Sequence, residues 1–142
     1  MVVISLLVLI ASLAVSVALR ARVQSNEAAA VGNLRTVSSA AESFRAAQTP
    51  PAYAADVNAM ALASPPYLDI AWSTNNQRQG YTYTYDVAGN GDTFSMTADP
   101  RTQNTSGINS YCVDHTGVIR RYAPGGGNVG GPNGCNVNGP PV

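Results

Sequence analysis

"SVALRARVQSNEAAAVGNLRT", residues 16–36, decides the fold. An uncharged run ends at Leu19, Arg20 and Arg22 follow, and no turn residue separates that run from further helical sequence. Upstream, residues 1–19 (MVVISLLVLIASLAVSVAL) hold no charge, no Gly and no Pro; their only polar side chains are Ser5, Ser12 and Ser16. As a helix this run spans about 28 Å, close to the roughly 30 Å hydrocarbon core of a bilayer. Downstream, Gly32 is the only glycine between Arg20 and Gln48, and there is no proline. Ala30, Leu34, Val37, Ala41 and Phe44 recur at a spacing of four, three, four and three, which lays them along one stripe of a helix. Glu27, Asn33, Arg35, Ser38, Glu42 and Arg45 fall mostly elsewhere on its circumference. Pro50-Pro51 stops the helix. One continuous helix of roughly 70 Å is expected from about residue 1 to about residue 48.

The two halves of that helix want different partners. The first is apolar on every side and suits lipid or a bundle of like helices. The second has one apolar stripe and suits a sheet of its own chain. A cleaved signal peptide would want a basic leader before the apolar run, although Ser16-Val17-Ala18 is a tolerable cleavage site. Burial inside a soluble protein fails, because a chain of 142 residues could hardly cover an apolar surface that faces all round. A single membrane anchor is the reading that remains. Arg20 and Arg22 follow the run and nothing basic precedes it, so the positive-inside bias alone would leave the rest of the chain in the cytoplasm. A basic leader upstream of Met1 would remove that conflict.

The remaining chain is enough for a small sheet on a helix, and too little for a deep catalytic cleft. Eight basic residues, all Arg, balance 8 acids, so no global field attracts nucleic acid or an anionic surface. "AADVNAMALA" (54–63) predicts a short second helix closed by Pro65-Pro66, and "YLDIAWSTNNQRQG" (67–80) a loop anchored by Trp72. From Tyr81 the period becomes two, with Tyr81, Tyr83 and Tyr85 on one face and Thr82 and Thr84 on the other. "AGNGD" (88–92) is a hairpin turn, and Phe94, Met96 and Ala98 alternate on the return strand. "SYCVD" (110–114) and "VIRRYA" (118–123) make a second hairpin about His115-Thr116-Gly117. The expected fold is α+β: a long N-terminal helix packed by its second half on an antiparallel sheet of three to four strands. Its expected parts are an apolar helix over 1–22, an amphipathic continuation over 23–48, a head over 49–123 and a tail over 124–142.

Gly, Pro and Asn supply 15 of the last 19 residues, so no regular element is expected there. Cys135 lies inside this tail, and its one possible intrachain partner is Cys112 on a predicted strand. A disulfide would close a loop of roughly 24 residues, contribute on the order of 3 kcal/mol and fasten the tail. It would also place the domain outside the cytoplasm.

Chemistry is sparse. "GGGNVGG" satisfies G-x-G-x-x-G at Gly125, Gly127 and Gly130, but Pro132 and Gly134 follow where the nucleotide fingerprint needs a helix. His115 is the only histidine, and its neighbour Asp114 would point to the opposite face of a strand. Asp86, Asn90 and Asp92 could offer oxygen ligands to calcium, but their spacing does not match a twelve-residue calcium loop. Arg120-Arg121 is too small a basic patch to imply nucleic acid, and the tyrosines are better suited to pack on a helix than to stack bases or sugars. No cofactor or catalytic constellation is expected.

These residues resemble the type IV pilin-like family, which includes the type II secretion pseudopilins. "MVVISLLVLIASLAV" is similar to the N-terminal helix of those subunits entered a few residues late, and "RARVQSNEAAAVGNLRT" to the segment where that helix leaves the membrane. "GYTYTYDVAGNGDTFSMTADPRT" and "GINSYCVDHTGVIRR" are similar to the sheet of short members. The family's cleavage motif, its glutamate near the mature N-terminus and its helix-kinking proline are not matched. Ala18-Leu19 stands at about the proline's place, so a straighter helix is expected. The resemblance implies a non-enzymatic filament subunit held in the inner membrane with a periplasmic head, then assembled into a periplasmic or cell-surface polymer. Its implied partners are identical subunits, related minor pilins, the inner membrane and the assembly machinery. Ile4, Leu6, Leu7, Leu9, Ile10, Leu13 and Val17 would form the filament core. The other reading is a membrane-anchored or secreted extracytoplasmic binding module using its tyrosine strand or loops. A DNA-binding role has no support in the charge pattern.

Overall fold

The computed structural model describes residues 2–123 and 130–142, excepting the side chains of Leu6 and of residues 9–16. Helix α1 runs unbroken over Val2–Ala47. No proline interrupts it, and Arg45 in its last turn faces the negative end of the helix dipole. Two short helices follow, α2 (Val57–Ala61) and α3 (Ala71–Thr74). Asp56 caps α2: its carboxylate accepts the Ala59 N–H at 2.7 Å and satisfies a donor that the helix cannot.

The strands are β1 (Gln77–Arg78), β2 (Tyr81–Val87), β3 (Phe94–Pro100), β4 (Ser110–Asp114) and β5 (Arg120–Tyr122). They form one antiparallel sheet in sequence order, so the chain is an α+β meander. The sheet has five strands, not the three to four that the pattern predicts. The extra one is β1, inside the stretch expected to be a loop. Two polar residues give no alternation to read, and β1 exists because its backbone pairs with Tyr81 and Thr82. Trp72 likewise lies on the short helix α3 and not in a loop.

The second half of α1 packs on β3 and β4. Ala30, Leu34, Val37 and Ala41 are fully buried there, and Phe44 packs against the edge of the same core. Tyr81, Tyr83, Phe94, Met96, Ala98, Tyr111 and Val113 meet them from the sheet. Aromatic rings fill the space beyond: Tyr53 lies 4.7 Å from Phe94, and Trp72 meets Tyr83 edge-on at 5.3 Å.

Alternation alone would leave the other face of β3 in water, yet Ser95 and Thr97 are buried. The glycine-rich tail covers them. Ser95 Oγ donates to the Gly131 carbonyl at 2.8 Å and accepts the Gly131 N–H at 3.0 Å. Gly130 lies so close that an added Cβ would stand 2.6 Å from Thr97 Cγ2 and 3.1 Å from Cys112 Sγ. The disulfide Cys112–Cys135 fixes the tail from below, with Cα atoms 5.9 Å apart. Further on, the tail closes the sheet's last edge, where Arg121 N–H donates to Pro140 O and Val142 N–H to Ile119 O, each at 2.9 Å. The tail is held by hydrogen bonds and one covalent link, since it brings few apolar side chains.

Candidate functional site

The first half of α1 stands apart from this core. Val2, Val3, Ile4, Leu7, Val8, Val17 and Leu19 are all 54–79% exposed. Large apolar side chains this open, gathered on one element, are the kind of surface that membrane and protein contacts use. Of the expected filament-core residues, Ile4, Leu7 and Val17 are on this surface; the side chains of Leu6, Leu9, Ile10 and Leu13 lie outside the described residues. Among the described residues no helix is long and apolar enough to cross a membrane, and residues 9–16, the middle of the run, are not in that set.

Among the described side chains of α1 the first buried one is Val23, where the rod meets the head. Here a groove of about 410 Å³ opens between Leu19, Val23 and Glu27 on the helix and Asn104 and Ile108 on the loop after β3. A second depression shares Gln24 and Glu27 and continues past Val31 to Tyr111 and Val142. Together they form one furrow along the helix from Leu19 to Arg35. Its floor is mainly apolar, with Arg20 exposed at its mouth.

Two residues of α1 hold the furrow's outer wall in place. Glu27 Oε1 accepts the Ile108 N–H at 2.8 Å, the Asn109 N–H at 3.0 Å and the Asn109 side-chain amide at 3.1 Å. One turn of loop is thereby tied to a carboxylate some eighty residues earlier. Asn26 donates to Ser106 O at 2.9 Å, and Tyr81 Oη donates to Asn109 O at 2.9 Å from the sheet side. Asn33 donates to Tyr83 Oη at 2.9 Å and to Gln79 Oε1 at 3.0 Å, fixing the end of β2 in the same way. The sequence pattern places Glu27 and Asn33 mostly off the apolar stripe and assigns them no contact. The available signal was their place next to the apolar stripe, flanking Ala30 at spacing three.

Asp86 lies near the end of β2 and Asn90 and Asp92 in the hairpin turn, where the Asn90 amide donates to the Asp92 carboxylate. Among the described residues no group of three or more His, Cys, Asp or Glu side chains is positioned to hold a metal ion. His115 sits in the turn after β4, its backbone N–H on Phe94 O. The Asp114 carboxylate turns instead to Thr116 and to the Cys135 N–H at 3.0 Å. Burial by itself would raise the Asp114 pKa, but these hydrogen bonds, with the charge of His115, outweigh burial and hold it below the ordinary carboxylate value. Tyr81, Tyr83 and Tyr85 face the helix, and burial raises all three phenols above their usual range. Arg120 is occupied by the tail carbonyl of Gly139 at 3.0 Å. Gly125 and Gly127 lie outside the described residues.

Comparison with family models, with curated proteins and with solved structures found no match for this chain.

Proposed function

We propose that this chain is a non-enzymatic structural subunit of a type IV pilus or type II secretion pseudopilus, polymerising through its apolar N-terminal helix. One observation carries this reading: a single helix presents exposed apolar side chains at the described positions of its first half and is buried under its own sheet along a stripe of its second. Covering a large apolar side chain contributes roughly 1.5–3 kcal/mol. Seven such side chains in the described part of the rod therefore supply a driving force on the order of 10 kcal/mol. Among the described residues the head leaves these side chains uncovered, so in this reading the cover comes from lipid or from other copies.

The furrow beside the rod's exit is the natural neighbour for a second rod. Rod and furrow are different patches displaced along one helix axis. A contact between unlike patches is head-to-tail, and where its rotation does not close into a ring it propagates as an open polymer. Before assembly the residue 1–19 run holds the subunit in the inner membrane, with the disulfide-bearing head in the periplasm. In the polymer, identical subunits and related minor pilins replace lipid around Ile4, Leu7 and Val17.

Shearing the native host's surface, imaging the released material by electron microscopy and identifying its peptides tests the proposal. Filaments containing head peptides of this chain are expected. Absence of the chain from every sheared or periplasmic filament fraction contradicts it.

A further inference from the structure

With residues 1–19 in the hydrocarbon layer, as in the reading above, the chain enters the headgroup layer at Arg20. That layer is roughly 5–8 Å deep on each side of a bilayer, which a helix crosses in about five residues, here Arg20 to Gln24. Leu19, Arg20, Val23 and Gln24 all line the groove of about 410 Å³ at the rod's exit, so its mouth lies inside that layer. The loop after β3 comes down to the same level and closes the far side of the groove with Asn104, Thr105 and Ile108. Before assembly, an opening at this depth faces lipid.

The lining pairs apolar surface with one open cation. Leu19 and Ile108 are 54% and 49% exposed, and the buried Val23 lines the same groove. Arg20 is exposed at the mouth and makes no hydrogen bond or ion pair among the described residues. The side chains of Asn104 and Thr105 are exposed and equally unengaged. The one carboxylate in the lining, Glu27, lies about 10 Å further along the helix and already accepts three donors of the loop. A free guanidinium beside neutral donors favours a phosphate, and the apolar floor favours an alkyl chain. A zwitterionic lipid would bring its own cation to Arg20, with no carboxylate at the mouth to receive it. An anionic phospholipid meets all of these demands.

We propose, resting on the membrane-anchored reading above, that before assembly the furrow holds an anionic phospholipid of the surrounding bilayer. Its phosphate sits on Arg20 and one acyl chain runs along Leu19, Val23 and Ile108. Arg22 is at the same depth but is not in the lining, and supplies only a general attraction to an anionic surface. This lipid leaves when a neighbouring rod takes its place.

The full chain is placed in nanodiscs of phosphatidylcholine with phosphatidylglycerol as a minor component. Lipids that stay bound to it on release are identified by native mass spectrometry. The bound ratio of phosphatidylglycerol to phosphatidylcholine is expected to be about five times that of the bilayer, the order set by one arginine at an anionic surface. Arg20→Gln is expected to remove the enrichment and Ile108→Ser to weaken it severalfold, whereas Arg22→Gln retains it. All three side chains are exposed, and circular dichroism verifies that each variant is folded. Flotation of the parent with pure phosphatidylcholine vesicles reads anchoring on its own. A chain that floats but binds lipids in the bilayer's own ratio overturns the furrow site and leaves the anchoring intact. So does an enrichment that survives Arg20→Gln, or that Arg22→Gln removes as fully. A chain that does not float overturns both.

Discussion

The carboxylate of Glu27, on the helix, holds the backbone N–H of Asn109, on the loop after β3, at 3.0 Å. The same oxygen takes two further donors, so one helical side chain sets the position of the wall that, with Ile108, borders the furrow. Removing a shared acceptor strands its donors at about 1–3 kcal/mol. Glu27→Ala is expected to lower stability by that amount and to speed hydrogen exchange at the Ile108 and Asn109 amides. Glu27→Gln, which keeps an oxygen there, is expected to lose less. Denaturant midpoints with exchange mass spectrometry measure both, and unchanged exchange at those two amides would contradict the latch.

Leu34 is fully buried where α1 crosses the sheet. Its truncation removes both transfer energy and packing, so Leu34→Ala is expected to cost about 2–5 kcal/mol. Thermal unfolding of the full chain in detergent is the measurement. A change below about 1 kcal/mol would mean that the helix stripe does not carry the core.

The tail is predicted to depend on Gly130 and on the disulfide. An alanine at 130 would press its Cβ on Thr97, Ser95 and Cys112, the atoms that the tail covers. Gly130→Ala is expected to loosen residues 130–135 and to speed reduction of Cys112–Cys135 by dithiothreitol. Opening that link by Cys112→Ala with Cys135→Ala is expected to cost on the order of 3 kcal/mol. Thiol-trapping mass spectrometry reads the first and denaturant melts the second.

Asp114 gives the head a pH dependence. Its carboxyl titrates lower in the folded head than in the unfolded chain, where about 3.9 is usual. A depressed folded value stabilises the fold above the unfolded value, and that contribution is lost as pH falls through the folded one. Between pH 7 and 5 Asp114→Asn is therefore expected to be less stable by roughly 1–3 kcal/mol. Below about pH 4 the gap to the parent narrows. Melting curves from pH 7 to 2 check this; a gap that does not narrow in acid contradicts the assignment.

Periodicity made most of this fold readable. The spacing of Ala30, Leu34, Val37, Ala41 and Phe44, and the alternation from Tyr81 to Tyr85, each record a buried face in the identity of the side chains. Where a contact rests on backbone or on distant partners, the sequence is silent. Gln77 and Arg78 form a strand through main-chain pairing alone. Ser95 and Thr97 look solvent-facing because their cover is a tail without pattern. The rod is visible in composition, whereas the furrow is not. Its walls, Ile108 and Val142, come from chain far from the helix: Glu27 gathers the loop that carries Ile108, and the Ile119 carbonyl holds Val142.

The central claim is that the exposed apolar rod joins one copy to the next, and sedimentation of the purified full-length chain as detergent is withdrawn tests it most directly. Large, thread-like assemblies are expected of the parent, and their loss when a charge is set on the rod by Leu7→Asp, with the head still folded. A parent chain that stays a single copy without detergent, or a Leu7→Asp chain that assembles equally well, would contradict it.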